Sequence, residues 1–433
     1  MFQRRIPEWL RHAPTPGAKG FAVLSGIEAI SRGILISVFP LIMYRAYQDT
    51  VVVSEIYFYV GIISLVCGLL VPWLTRYIPR RWMYSGGAVL FIVSAFLAIE
   101  GSAIAIALAL FSYTVAVVVL FVCFNAYVLD YVAKVELKRS ETLRLFYSAV
   151  AWCAGPAGGV WLMQWWTPAP FLVSAIGAAV LLVVFWWMRL GDGKLITKAR
   201  APAPNPVAFL MRFFVQPRLI AGWLFAVIKS CSWWVYIVYL PIYAVESGLH
   251  ESIGGIALSI SNSLLFITPF MLKWIDRYSV RYAIRFGFFA GGVVFIAATF
   301  SAGWPWVVVA FLVLGTLFLI LLDICAGLPF LMAVRPSERT EMSAVYSTFR
   351  DVSGIVSPGV AWLVLLVAPV STLFATAGIG MFAAWAVAGR LHPRLGTPKV
   401  PAVPTVPVVV SPVNLSSSHE TEAAEPVHFS TNS

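Results

Sequence analysis

Trp73-Leu74-Thr75-Arg76-Tyr77-Ile78-Pro79-Arg80 recurs 201 residues later as Trp274-Ile275-Asp276-Arg277-Tyr278-Ser279-Val280-Arg281, so W-[LI]-x-R-Y-x-x-R is written twice in one chain. Each copy follows a long apolar run. The same offset carries Pro40 onto Pro241, and an offset of 202 carries Pro156 onto Pro358. Three landmarks in register across half the chain mark an internal duplication. Outward from these loops, apolar stretches of about 20 residues, the helical length that crosses a bilayer core, recur from Phe21 to Arg390. Hydrophobic residues make up 60% of the 433-residue chain and charged residues 11%, well under the roughly 25% charged of soluble domains. Inside lipid every backbone polar group needs an internal partner, so spans of this length are helices.

The spacing predicts twelve spans, at 21–44, 55–75, 83–100, 108–132, 144–166, 169–189, 219–245, 253–273, 283–302, 306–332, 344–367 and 371–389. The fold class is therefore an all-α polytopic membrane protein of two pseudo-symmetric six-helix halves. All but three of the 30 Lys and Arg fall in the segments on one side of this topology or in the span ends that border them. The exceptions are Arg45 in an outer loop and Arg32 and Lys229 inside spans. By the positive-inside rule, that side is cytoplasmic and holds both termini. The domain reading is a cytoplasmic segment 1–20, halves at 21–190 and 218–395, a Pro- and Lys-containing linker 191–217, and a Pro/Val/Ser/Glu tail 396–433 of disordered composition. The first apolar segment is too long for a signal-peptide core and reads as a retained span.

The net charge of +11 is spread through short loops with no basic domain, which argues against nucleic-acid binding. The five cysteines lie in apolar spans without CxxC spacing, and none of the five histidines lies in a span or at metal-ligand spacing, so neither a disulfide framework nor a metal site is expected. No G-x-S-x-G, P-loop or H-E-x-x-H appears, so neither an enzyme nor a cofactor is expected.

The repeated loop resembles the hallmark of the major facilitator superfamily, roughly G-x-x-x-D-R-x-G-R-R between spans 2 and 3, echoed between spans 8 and 9. The first copy runs from Gly68 to Arg81, with Arg76, Arg80 and Arg81 at the basic positions. Thr75 stands where the acid belongs and Pro79 replaces the glycine. The second copy keeps the acid as Asp276-Arg277 and ends on Arg281. The resemblance implies that the loop's basic residues latch onto an acid at the end of span 4, here Asp130. Span 5 carries Gly155-Pro156-Ala157-Gly158-Gly159, similar to the G-P-x-x-G-G motif of the superfamily's drug–proton antiporters with its glycines one residue early. This implies export. Gly155, Pro156, Gly159 and Pro358 are then packing and kinking residues.

Ionisable residues deep in a span are costly and are functional hypotheses by default. Span 1 holds Glu28 and Arg32, span 7 Lys229 and span 10 Asp323. The resemblance places spans 1, 4, 7 and 10 around a central cavity. The 201-residue offset makes Glu28 and Lys229 equivalent in the two halves, at equal depth across that cavity, while Glu28 and Arg32 are also i,i+4 neighbours. Two readings stand: a proton-coupling and substrate site, or structural pairs locking the halves. Asn125 in span 4 joins the candidate site, and Trp233, Trp234 and Tyr236 are candidate aromatic lining. Arg350 and Asp351 read equally as an inner gate or a helix-end pair.

Together these features predict a secondary active transporter that moves a small organic solute by alternating access, with proton coupling and export, acting as a monomer in a bacterial inner membrane. An uptake symporter of an organic anion and a transporter-like sensor without flux are the alternatives.

Overall fold

A computed structural model describes residues 18–75, 77–131, 137–188, 211–334, Met342 and 345–391; within them, the side chains at 18, 72, 129–131, 137–142, 276 and 331–332 are left aside. The described residues are helical with no β-strand. In chain order, α1 is broken into Ala18–Gly33 and Val38–Tyr47, followed by α2 (Thr50–Leu74), α3 (Arg80–Glu100), α4 (Ala103–Tyr131), α5 (Leu137–Trp165) and α6 (Ala169–Trp187). In the second half, α7 comprises Pro217–Trp234 and Leu240–Glu246 joined by a π-helical turn, Val235–Tyr239. Then come α8 (Ser252–Ser263 and Thr268–Tyr278, with a 3₁₀ turn between), α9 (Val280–Phe300), α10 (Pro305–Cys325, continued by Leu328–Ala333), α11 (Phe349–Leu365) and α12 (Thr372–Ala388). Ten helices are long and apolar enough to cross a membrane, and α12 is a shorter apolar one. With α11 between them, the set is consistent with twelve.

The duplication is visible in the helices. Pro40 and Pro241 cannot donate to the carbonyls four residues back, and the helix departs from α geometry at 34–37 in α1 and at 235–239 in α7. These two breaks are themselves 201 residues apart. The repeated loop keeps a local contact too: the Trp73 and Tyr77 rings meet edge-on at 5.0 Å, and those of Trp274 and Tyr278 meet at a tilt at 5.3 Å. Some ends differ from the sequence-based spans. The fourth helix starts at Ala103 rather than 108, because Gly101 at φ +85° turns the chain and Ser102 Oγ accepts from the Ala105 N–H at 3.3 Å, a helix-start cap. The tenth breaks after Cys325, ahead of Gly327 and Pro329.

Within each half the helices pack as a bundle: α1 with α5 and α6, α3 with α4 and α6; and α7 with α11 and α12, α9 with α10 and α12. Two long joints connect the halves, α5 with α8 and α2 with α11. In the first, Asn262 Nδ2 donates to the Trp152 carbonyl at 2.7 Å and the Ala157 N–H donates to Ser259 Oγ at 3.0 Å. In the second, Gly61 lies against the Gly354 carbonyl, where an added methyl would be 2.5 Å from the oxygen, and Gly359 lies against the Phe58 ring.

One end of the bundle is tied shut across the halves. Arg45 pairs with Glu251 through two contacts, one of them Nε to Oε1 at 3.0 Å. Thr50 Oγ1 donates to Glu246, and Gln164 Nε2 donates to Ser252 Oγ at 2.7 Å. The Tyr239 hydroxyl donates to Ser54 Oγ at 2.9 Å beneath them. This end carries the short, cation-poor turns; the opposite end carries the basic loops.

Candidate functional site

Between the sealed end and the basic end lies a cavity of about 630 Å³, walled by both halves. The α1 break and the residues just after it contribute Leu35, Ile36, Phe39 and Pro40, and the π-helical turn within α7 contributes Ile237 and Val238. The lining extends toward the basic end as far as Ser64 on α2, Val118 on α4 and Arg350 and Asp351 at the start of α11.

Of the predicted site residues, Arg32, Lys229, Asp323, Trp233 and Trp234 line this cavity. Lys229 Nζ lies 2.6 Å from Asp323 Oδ1, and Trp233 Nε1 donates to Asp323 Oδ2 at 3.0 Å. Lys229 and Trp233 are one turn apart on α7, so both reach one carboxylate on α10. Trp233 satisfies the oxygen next to the one Lys229 takes, and a carboxylate held on both oxygens is the favourable form of such a pair. Across the cavity Arg32 Nη1 donates to Glu28 Oε1 at 3.3 Å. Its guanidinium stands over the Trp152 ring at 5.5 Å, and its backbone carbonyl accepts from the Tyr113 hydroxyl at 3.3 Å.

The geometry corrects the expected opposition of Glu28 and Lys229. Each charge is closed within its own half: Glu28 is 7% exposed, sits behind Arg32 and is not among the lining residues. The repeat fixes depth along the bundle, but partners are fixed by reach, and each charge has a partner one turn away or on an adjacent helix. Tyr236 is also not a lining residue. It is fully buried, with its hydroxyl against Ser261 Oγ at 2.7 Å, and Thr316 Oγ1 donates to the same Ser261 at 3.0 Å; a buried phenol goes where a hydroxyl partner is. Asn125 is half-buried on α4 outside the lining. Tyr57 and Tyr113, which sequence reasoning passed over, do line the cavity; a polar tip in an otherwise apolar helix was the available signal.

At the basic end, Arg80 stacks over Tyr127 of α4 at 5.5 Å, so the first loop does reach the helix that carries Asp130. Its repeat equivalent Arg281 instead donates to the Gly389 carbonyl at the end of α12. Arg277 stacks over Tyr278 at 6.0 Å, and the Arg81 carbonyl accepts from Ser85 Oγ at 2.8 Å. Arg76 and the side chains of Asp130 and Asp276 lie outside the described residues, and with them the latch. Gly155 and Gly159 press on the α1 backbone at Gly33 and Ile34. Pro156 packs against Gly255 of α8, where a methyl on Gly255 would lie 2.7 Å from the Pro156 carbonyl oxygen. Pro358 is buried within α11.

Comparison with known proteins agrees with this architecture. No curated protein sequence matches the chain. Among solved structures, a peptide transporter POT variant in complex with sulfate superposes with TM-score 0.69 at 15% identity, over 88% of this chain and 94% of that one. The nucleoside transporter NupG gives TM-score 0.64 at 15% identity over 87% and 100%. A bacterial homologue of the iron transporter ferroportin, in an inward-facing state, gives 0.62 at 14% over 86% and 96%. At these identities the likeness is one of fold. The sequence itself matches the family model of the Major Facilitator Superfamily over residues 21–358, and the chain is a multi-pass membrane transporter of that superfamily.

Proposed function

We propose that this protein is a proton-coupled secondary transporter that exports a small organic solute by alternating access. The observation that carries the reading is the Lys229–Asp323 pair at 2.6 Å on the wall of a cavity shared by both halves. Lys229 is the less exposed member of the pair, 14% against 38% for Asp323, so losing the carboxylate charge leaves the ammonium without its partner. Protonation of Asp323 therefore has to be matched by a new partner for Lys229, and an arriving solute can supply one. That exchange links proton and solute without a second site. Its partner across the cavity, Arg32–Glu28, gives the N-terminal half a charge relay of its own.

With the basic end in the cytoplasm by the positive-inside rule, the sealed end faces outward and the cavity faces inward, in a bacterial inner membrane with both termini inside. Export is supported by the Gly155-Pro156-Gly159 segment and its close packing against α1. The site lies within one chain, which supports a monomer as the working unit.

Pyranine-loaded proteoliposomes, challenged with aromatic carboxylates, amino acids and amphipathic amines, test the coupling. At least one solute class moves protons in wild-type vesicles, and Asp323→Asn removes that signal while the protein still inserts and elutes as a single species. Solute flux that ignores the pH gradient in both forms overturns the reading. The sign of the solute flux under an imposed gradient decides export against uptake.

A further inference from the structure

The charges that line the cavity are not all spoken for. Lys229 and Asp323 are closed on each other. Arg32 makes a single 3.3 Å bond to Glu28, and its side chain remains 28% exposed. Arg350 is different again. Its guanidinium stands over two rings, Phe121 of α4 at 5.5 Å and Phe349 at 5.7 Å, and among the described residues no carboxylate lies within ion-pair distance of it. Asp351 follows it directly, lines the same cavity and feels the guanidinium's field, but the two do not form an ion pair. The face offered to a solute thus holds three cations, Arg32, Lys229 and Arg350, against two acids, Asp323 and Asp351.

We infer that the cavity takes an organic anion with an aromatic or apolar body, and that Arg350 is the residue that selects for the anionic group, with Arg32 facing it from the other half. The inference rests on the transport reading only in treating this cavity as the solute site. Both rings lie within cation–π reach of the Arg350 guanidinium and engage none of its N–H donors as hydrogen-bond acceptors, which leaves the donor fork for a ligand. That fork matches a carboxylate, sulfonate or phosphate two bonds at a time. The remainder of the wall, with Phe39, Tyr57, Tyr113 and Trp234, suits a flat apolar body. A volume of about 630 Å³ is within the range of small-molecule sites. Because Arg350 belongs to α11 and Phe121 to α4, an anion taken up by Arg350 acts on a contact between the halves at the basic side of the cavity. The same chemistry disfavours a cationic solute, which would meet an unneutralised guanidinium.

The test is calorimetric binding to the purified full chain in detergent, with three probes of matched shape: 1-naphthylacetate, its neutral amide 1-naphthylacetamide, and the cation 1-naphthylmethylamine. The acid binds about tenfold or more tighter than the amide, a preference of about 1.4 kcal/mol, and the amine is weakest. Arg350→Gln removes the preference, lowering acid affinity about tenfold while amide affinity stays within about twofold; Arg350→Lys recovers part of it. Arg32→Gln gives a smaller loss in the same direction. Unchanged amide binding shows that the variant cavity is folded. Equal binding of acid and amide by the wild type, equal loss of both in Arg350→Gln, or no binding by any of the three overturns the inference. Arg350-dependent acid binding without coupled proton movement in vesicles would sink the transport reading and leave this one standing. Proton-coupled flux of the amine but not the acid would do the reverse.

Discussion

The two joints between the halves are the same contact built twice from different chemistry. Offsets of 201 and 202 carry Gly61 and Gly354 onto Asn262 and Trp152 in the same roles: Gly61 is equivalent to Asn262, and Gly354 to Trp152. Likewise Phe58 is equivalent to Ser259, and Gly359 to Ala157. In each joint a proline frees one carbonyl, because Pro156 has no N–H for the Trp152 oxygen and Pro358 none for that of Gly354. The α5–α8 joint fills the vacancy with an amide donor at 2.7 Å. The α2–α11 joint fills it with the bare Cα of a glycine, a contact of C–H···O type, worth perhaps half to one kcal/mol. A hydrogen bond is directional and a glycine contact is not. One joint is therefore pinned at a point, and the other is a smooth close approach along which backbones can shift without breaking a bond.

The largest effect is expected at the smooth joint. A methyl at Gly61 meets the Gly354 oxygen at 2.5 Å, backbone that cannot swing aside, so Gly61→Ala forces α2 and α11 apart and lowers stability by about 1–3 kcal/mol. Gly354→Ala is the control: its methyl finds Trp234 at 3.7 Å, ordinary contact, and thermal unfolding of that variant stays near wild type. Equal losses in the two would end the claim that Gly61 marks the closest approach.

At the pinned joint, Asn262→Ala strands the Trp152 carbonyl and costs about 0.6–2 kcal/mol, the range of hydrogen bonds between membrane helices. Pro156→Ala restores a helical donor for that carbonyl. The double variant is therefore less damaged than the two single losses summed, with a coupling of at least about 0.5 kcal/mol. Strict additivity would show that the amide and the proline do not share a carbonyl. The smallest effect is Ser259→Ala, a few tenths of a kcal/mol to about 1, since a helical N–H such as that of Ala157 keeps its own ladder within reach. Cross-linking rates for cysteine pairs placed along α2–α11 and along α5–α8 then compare mobility directly; faster exchange among registers is expected at α2–α11.

Much of this was legible in the sequence, because its signals were of the kind that backbone physics enforces. Proline must break the ladder, and the two breaks lie just ahead of Pro40 and Pro241; W-[LI]-x-R-Y-x-x-R brings its Trp against its Tyr in both copies. Arg32, Lys229 and Asp323 stood out since burial of a charge needs a reason, and the family resemblance put their helices around the cavity. What was not legible was partnership. Glu28 and Lys229 are equivalent by repeat, yet each closes on a group nearer to hand. Tyr236 sits three residues from Trp233 and faces the core because Ser261 is there to receive its hydroxyl. That Asn262 answers a vacancy left by Pro156 on another helix is a long-range match that no local spacing reveals.

The seal at the cation-poor end has a consequence beyond topology. Its ion pair, Arg45–Glu251, has side chains 39% and 28% exposed, and pairs in such surroundings contribute about 0–1 kcal/mol. That is comparable to thermal energy, and it is felt through an aqueous medium that screens charges beyond about 8 Å at physiological ionic strength. The seal is thus responsive to dissolved salt. Raising the ionic strength on that side weakens this pair's share of the seal, while the hydrogen bonds made by Thr50, Gln164 and Tyr239 remain.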